Sequence, residues 1–352
     1  CYHEGYRQAI SAKKRGWRDD ALYNGINAAT IDLLMGQSNR AKNLARKVRT
    51  ICMENLKRKK QDYWTVATLG EAGVILGDWK EAEEQYSLTG ELGRENYGDL
   101  STTRRQTRIL LEFLGKDKHL FDHCFNIPKV VVFAGHMVDQ PGRSKPRFPQ
   151  SMAKTLCKAI VVRLEQLDAR IGFASAACGA DILFLEGMLK RKGEINVVLP
   201  FEAESFLKAT VDIVPGGAWK RKFNRVLKFA KSVTIASEQR FSGNNVVYQY
   251  ANQLQHGLAM LRADALDTEV VPLAVWDGRP GDGPWRTASF VKYWRSQGLE
   301  PEIIDIAGLL DDKVHSHGTS YSKPIPANIC TLTGNPPGLP QDIKAVLFAD
   351  VV

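Results

Sequence analysis

Three short stretches of this 352-residue sequence hold residue types suited to gripping an anion. The first runs Gly135-His136-Met137-Val138-Asp139 and continues to Pro141-Gly142-Arg143. The second is Ser175-Ala176-Ala177-Cys178-Gly179-Ala180-Asp181, and the third is Asp277-Gly278 followed by Gly281-Asp282-Gly283 and Thr287. Small residues let the backbone approach a phosphate, and the first turn of a helix supplies free N–H groups and the positive end of a dipole. Arg143 can add a bidentate contact. His136 titrates near neutrality and can serve as acid or base, contact a phosphate, or simply bond to backbone. Cys178 precedes a helix N-terminus, a position that lowers a thiol's pKa; the alternative is an inert buried thiol. Far downstream, Ala345-Val346-Leu347-Phe348-Ala349-Asp350 ends an apolar run on a carboxylate, as a strand does when it aims an acid at a metal.

These groups need a scaffold, and the sequence around them supplies one. After Pro128, short apolar runs alternate with helical patterns. Strands are expected at 130–134, 170–175, 195–199, 232–236, 270–276 and 303–305, with helices at 151–167, 179–191, 219–230, 245–262 and 287–297. That alternation predicts βαβ units and a doubly wound parallel sheet covered on both faces. Open sheets of this kind bind ligands at the carboxyl ends of their strands. Any single βα turn favours Gly and Asp without a ligand. Three such loops at equivalent strand ends point to a ligand site.

The order of these segments resembles the SLOG superfamily of Rossmann-like domains. The strand ending Gly135-His136, the Ser175 to Asp181 segment, Val197-Val198-Leu199-Pro200-Phe201 and Ala274-Val275-Trp276-Asp277-Gly278 carry the resemblance over about residues 128–306. It implies a pocket for a nucleotide or nucleotide-derived signal. Its lining would include Gly135, His136, Arg143, Ser175, Cys178, Gly179, Ala180, Asp181, Asp277, Gly278, Gly281, Gly283 and Thr287. Phosphoribohydrolase members carry Pro-Gly-Gly-x-Gly-Thr-x-x-Glu. Here Gly281-Asp282-Gly283-Pro284-Trp285-Arg286-Thr287-Ala288-Ser289-Phe290 has no glutamate, which favours sensing over hydrolysis.

Residues 1–126 lack strand-like alternation and read as helices. Gly36 and Gly77 are 41 residues apart, as are Ala41 and Ala82, and small residues precede each glycine. Helical hairpins that stack on a shared face have this logic. Trp79-Lys80-Glu81-Ala82 with Tyr86 resembles a tetratricopeptide repeat, although the spacing exceeds that family's usual 34. The region is also similar to the repeats beside kinase domains in stress-activated MAP kinase kinase kinases. Two readings stay open, a partner-binding or dimerising scaffold and a helical spacer. Ile127-Pro128 ends the array.

The tail begins with a linker over 309–340, rich in Pro and Gly around Gly334-Asn335-Pro336-Pro337-Gly338. His315-Ser316-His317 has no third ligand nearby in sequence. Residues 341–352 resemble the first strand of a class III nucleotide cyclase domain, where Leu347-Phe348-Ala349-Asp350 would open the fold. The resemblance implies that Asp350 is one of two aspartates holding Mg or Mn, and that the remaining catalytic residues lie further on. The chain opens on Cys1 and stops within an apolar run, so it is read as part of a longer protein, with no cofactor and no catalytic residue of its own.

Composition narrows the field. Lys and Arg number 48 against 39 Asp and Glu, a net charge of +9, in scattered short runs without any DNA- or RNA-reading motif. A solvated basic surface is expected, not a nucleic-acid partner. Six cysteines without C-x-x-C spacing suggest a reducing, cytoplasmic setting. No apolar run approaches the roughly 18 residues of a membrane helix. The expected architecture is α + α/β: helical repeats over 1–126, a Rossmann-like domain over 127–308, the linker, then one strand. The expected function is the sensor portion of a soluble, homodimeric class III cyclase that binds a nucleotide-type small molecule. The alternatives are a nucleotide-processing enzyme with a helical adaptor and a pure interaction scaffold.

Overall fold

The computed structural model describes residues 1–12, 14–58, 62–216, 218–238, 246–280 and 287–309. Six helices come first: α1 (Tyr2–Ala12), α2 (Trp17–Leu34), α3 (Ser38–Arg58), α4 (Tyr63–Leu76), α5 (Trp79–Leu92) and α6 (Tyr97–Phe113). α2 and α4 stop in the same way. Gly36 and Gly77 take φ of 78° and 81°, a conformation that costs glycine little. The following N–H closes back on the helix, Gln37 on the Asp32 carbonyl at 2.8 Å and Asp78 on the Gly73 carbonyl at 2.9 Å. The 41-residue spacing is therefore one helix stop used twice, each time followed by a returning helix. Close packing of the pairs explains the small residues: a Cβ on Gly73 would come within 3.2 Å of Ala82 Cβ. Leu33, Val48, Ile75, Ala82 and Tyr86 are buried in the shared core.

The second part alternates strand and helix. In order these are β1 (Val130–Gly135), α7 (Ala153–Gln166), β2 (Ile171–Ala174), α8 (Ala180–Lys190), β3 (Glu194–Leu199), α9 (Ala203–Phe206), α10 (Ala218–Phe229), β4 (Ser232–Ile235), α11 (Val246–Leu266), β5 (Val270–Trp276), α12 (Thr287–Ser296) and β6 (Glu302–Asp305). Every pairing is parallel, in the order β4-β3-β2-β1-β5-β6. Val131 and Phe133 of β1 face a core built with α7, α8 and α10. Val130, Val132 and Ala134 face a second core with α11 and α12. Burial on both faces is why β1 reads as an unbroken apolar run. The α + α/β class expected from the sequence is present.

One element escaped the sequence reading. After β3 the chain forms α9, capped by Glu202, whose carboxylate accepts the Glu204 and Ser205 N–H groups at 3.0 Å, and then a π-helical turn over Leu207–Val211. The helical array is fixed to the sheet through α6 and α11. Arg104 donates to the Leu266 carbonyl at 3.3 Å and to that of Asp267, and Arg108 pairs with both Asp122 and Asp267. Among the described residues no helix is long and apolar enough to cross a membrane. The expected linker beyond Leu309 and the expected strand over 341–352 lie outside the described residues.

Candidate functional site

β1 runs on to β2 on one flank, whereas its other neighbour, β5, runs on to β6 in the opposite direction, so the strand order reverses between β1 and β5. A crevice opens at such a point beyond the carboxyl ends of the strands. There the structure has a cavity of about 760 Å³, walled by the β1 end and its loop, by Ser175 after β2, by Phe206 and Thr210 after β3, by α11, and by the start of α12. That volume lies within the roughly 300–1,000 Å³ typical of small-molecule sites.

Of the residues the sequence singled out, Gly135, His136, Arg143, Ser175, Asp181 and Thr287 line this cavity. Cys178, Gly179 and Ala180 stand behind the wall and close it. Met137 bridges to Gly179, the Val138 N–H donates to the Cys178 carbonyl at 3.0 Å, and the Ala180 N–H donates to the His136 carbonyl at 3.0 Å. That last bond occupies a donor of the first turn of α8. Gly179 has φ of 125°, and a Cβ on it would lie 2.6 Å from the His136 carbonyl oxygen. A side chain there would force two backbones apart, so Gly179 can serve the site only by shaping it. A Cβ on Gly135 would sit 2.3 Å from Ala180 Cβ, so the same tight seam needs both glycines. Cys178 is fully buried, and desolvation pushes its thiol up to about 12, which removes the reactive-thiolate reading. Gly281 and Gly283 lie outside the described residues, and Gly278 is exposed beyond the cavity wall.

Two polar clusters organise the site. His136, 8% exposed, has Nε2 3.2 Å from Asp277 Oδ1. Asp277 also accepts two bonds from Arg147, Nε to Oδ2 at 2.7 Å and Nη2 to Oδ1 at 2.6 Å, and one from the Arg279 N–H at 3.1 Å. Burial works to raise the Asp277 pKa, but the Arg147 and Arg279 hydrogen bonds and the nearby histidine outweigh it and hold the carboxyl well below the usual range. A carboxylate can only accept, so the imidazole proton belongs on Nε2. Burial first, and the arginines after it, lower the His136 pKa, leaving Nδ1 as an acceptor in a neutral ring. Asp181 makes the other cluster. Burial pushes its carboxyl up to about 7, against the pull of the Ala177 and Gly135 backbone N–H groups.

Sequence reasoning missed Arg147, only four residues past Arg143, and it missed the wall supplied by α11. Arg143 edges the cavity while its Nη1 stands 3.5 Å from Asp139 Oδ1 and its Nε donates to the Lys145 carbonyl at 3.0 Å. Tyr248, Asn252 and Gln255 all line the cavity from α11. Their spacing of four and three residues puts them on one helix face, and that shared face was the available signal. Among the described residues no cluster of three or more acidic, histidine or cysteine side chains could hold a metal ion; Asp350, the expected metal ligand, lies outside them. The chain matches no protein-family model and no curated protein.

Proposed function

We propose that the cavity beyond β1 binds a nucleotide-type ligand and that the chain is the sensor portion of a class III nucleotide cyclase. The observation that carries the ligand reading is the cavity's position and lining: it lies at the sheet's switch point and combines aromatic surface with polar side chains fixed by the fold. Phe206, Tyr248 and Phe290 offer faces for a base, and Arg143 brings positive charge to the loop at the mouth. The SLOG resemblance of the sequence supports the same reading. In this account the tetratricopeptide-like helices receive a protein partner or a second copy, in a cytoplasmic setting. Residues 341–352 begin the cyclase, with Asp350 as a ligand for Mg or Mn.

Binding stabilises a folded protein by mass action, so a panel of purine and pyrimidine nucleotides should include one that raises the melting temperature of the chain in a concentration-dependent way. A panel without any shift would contradict the sensor reading. The cyclase arm is tested in the protein that carries the whole domain: cyclic nucleotide formation with Mg or Mn should be lost in both Asp350→Ala and Asp350→Asn.

A second reading rests on His136 and Asp181. A neutral imidazole with a free nitrogen and a carboxyl titrating near neutrality stand on one cavity, the pairing that acid–base chemistry on a bound nucleotide would use. Turnover of a nucleotide incubated with the chain, abolished by His136→Gln, would favour this reading. Ligand recovered intact favours the sensor.

A further inference from the structure

Gln255 sits in the middle of α11 and is 1% exposed. β1 and β2 pair through Val132 and Phe173 and then part. The Gln255 amide enters just there: Nε2 donates to the Phe133 carbonyl at 2.8 Å and to the Phe173 carbonyl at 3.3 Å. Backbone carbonyls can only accept, so these two bonds fix which end of the amide is nitrogen. They also use both of its N–H groups. What Gln255 has left is Oε1, an acceptor. No group among the described residues donates to it, yet the side chain is part of the cavity wall. The rest of the side chain is buried, so this acceptor is held in place where it opens on the cavity, and its natural complement is a donor brought in by whatever fills the space.

We infer that Gln255 reads a hydrogen-bond donor on the ligand, and that the cavity selects nucleotides by an amine or hydroxyl placed against Oε1. The inference rests on the nucleotide reading above and adds its specificity. The two anchoring bonds keep the amide from rotating to offer its nitrogen instead. A ligand carbonyl at this point would oppose lone pairs to lone pairs. His136 Nδ1 on the β1 side repeats the bias, because it too is an acceptor. The donor comes either from the base, as an exocyclic amine, or from the sugar, as a hydroxyl.

The test compares nucleotides with analogues that lack one donor, by calorimetric titration of the full chain. ATP is set against purine riboside triphosphate, which lacks the 6-amine, and GTP against inosine triphosphate, which lacks the 2-amine. The 2′-deoxy and 3′-deoxy forms of each complete the set. For the parent that binds, one deletion should weaken binding about tenfold or more, because it leaves Oε1 unpaired. An amine deletion assigns the donor to the base, a hydroxyl deletion to the sugar. In Gln255→Met, which keeps the bulk and removes the acceptor, parent and analogue should bind within about threefold of each other. Analogues that all bind wild type within about threefold of the parent overturn the inference while the nucleotide reading stands. So does a penalty that persists undiminished in Gln255→Met. Should that variant fail to fold, the wild-type series decides alone. If neither ATP nor GTP binds, the inference is overturned, and the nucleotide reading falls with it when the pyrimidine nucleotides also fail to bind.

Discussion

At its carboxyl-terminal end, α11 meets arginines from α6: the carbonyls of Asp264, Leu266 and Asp267 accept from Arg105 or Arg104, and the Asp267 carboxylate pairs with Arg108. About three to four turns back along the same helix, Asn252 and Gln255 face a cavity, and no group among the described residues donates to their side-chain oxygens. One helix thus carries a closed polar interface and an open one. Polar groups that are paired within the protein serve the fold, and their loss is read in stability. Polar groups left facing a cavity contribute little to the fold, and their loss is read in binding.

The largest expected effect is at the closed end. Arg104 is 8% exposed, and Arg104→Met would take a donor from the buried Leu266 carbonyl and from the partly buried Asp267 carbonyl. Denaturant unfolding should show a loss of about 3–4 kcal/mol. Nucleotide affinity should be unchanged as long as the protein is folded. A fall in affinity instead would mean that the two ends of α11 are not separable.

Gly179→Ala comes next. It puts a Cβ against the His136 carbonyl at a φ that only glycine tolerates, and should lower stability by about 2–3 kcal/mol. Because the strained loop carries His136 into the cavity wall, this variant should lose nucleotide binding as well. A stable, binding-competent Gly179→Ala would show that the seam between the loop after β1 and the start of α8 can open to admit a side chain.

Asp181 gives a pH signature. Its folded pKa of about 7 stands above the ordinary 3.8, so between these values the folded state holds a proton that the unfolded chain has lost. The contribution is fully present below about pH 4 and is lost as pH rises to about 7, at about 1.4 kcal/mol per pH unit. His136 and His256 act the other way: burial lowers both, so their contribution grows as pH climbs toward 6.5. The diagnostic is therefore the difference between wild type and Asp181→Asn, measured by urea unfolding at intervals from pH 4.5 to 7.5. That difference should shift steadily against wild type as pH rises. A flat difference would show that the carboxyl is already ionised in the fold.

The smallest expected change in stability is at the open end. Asn252 lines the cavity without a hydrogen-bond partner among the described residues, so Asn252→Ala should alter the unfolding free energy by no more than about 0.5 kcal/mol. Any consequence should appear in nucleotide affinity alone. This is the reverse of Arg104→Met, and together the two variants decide whether the comparison holds.

The sequence made the scaffold readable because its signals are local. The apolar run from Val130 to Ala134, the helix stops at Gly36 and Gly77, and the strand–helix rhythm up to Asp305 each declare themselves within a few residues. The strand-end loops were legible for the same reason, and six of the residues named there do line the cavity. What was not legible depends on distant partners. Gly179 looked like a phosphate cradle, yet its conformation serves a seam with residues 136–138. Arg147 pairs with Asp277, 130 residues away, and nothing in the local pattern ranks it above Arg143. Gln255 reads as one polar residue in an ordinary helix until the parting of β1 and β2 shows what its amide bridges.

The central claim is that a nucleotide occupies the cavity beyond β1, and calorimetric titration of wild type and Asn252→Trp tests it most directly. The tryptophan projects from the same helix face and takes up part of the space beside Gln255, away from the arginine-pinned end of α11. The account predicts saturable binding of one nucleotide to wild type and its loss in Asn252→Trp, with both proteins unfolding at similar denaturant concentration. Binding that survives intact in Asn252→Trp would place the ligand elsewhere and contradict the account.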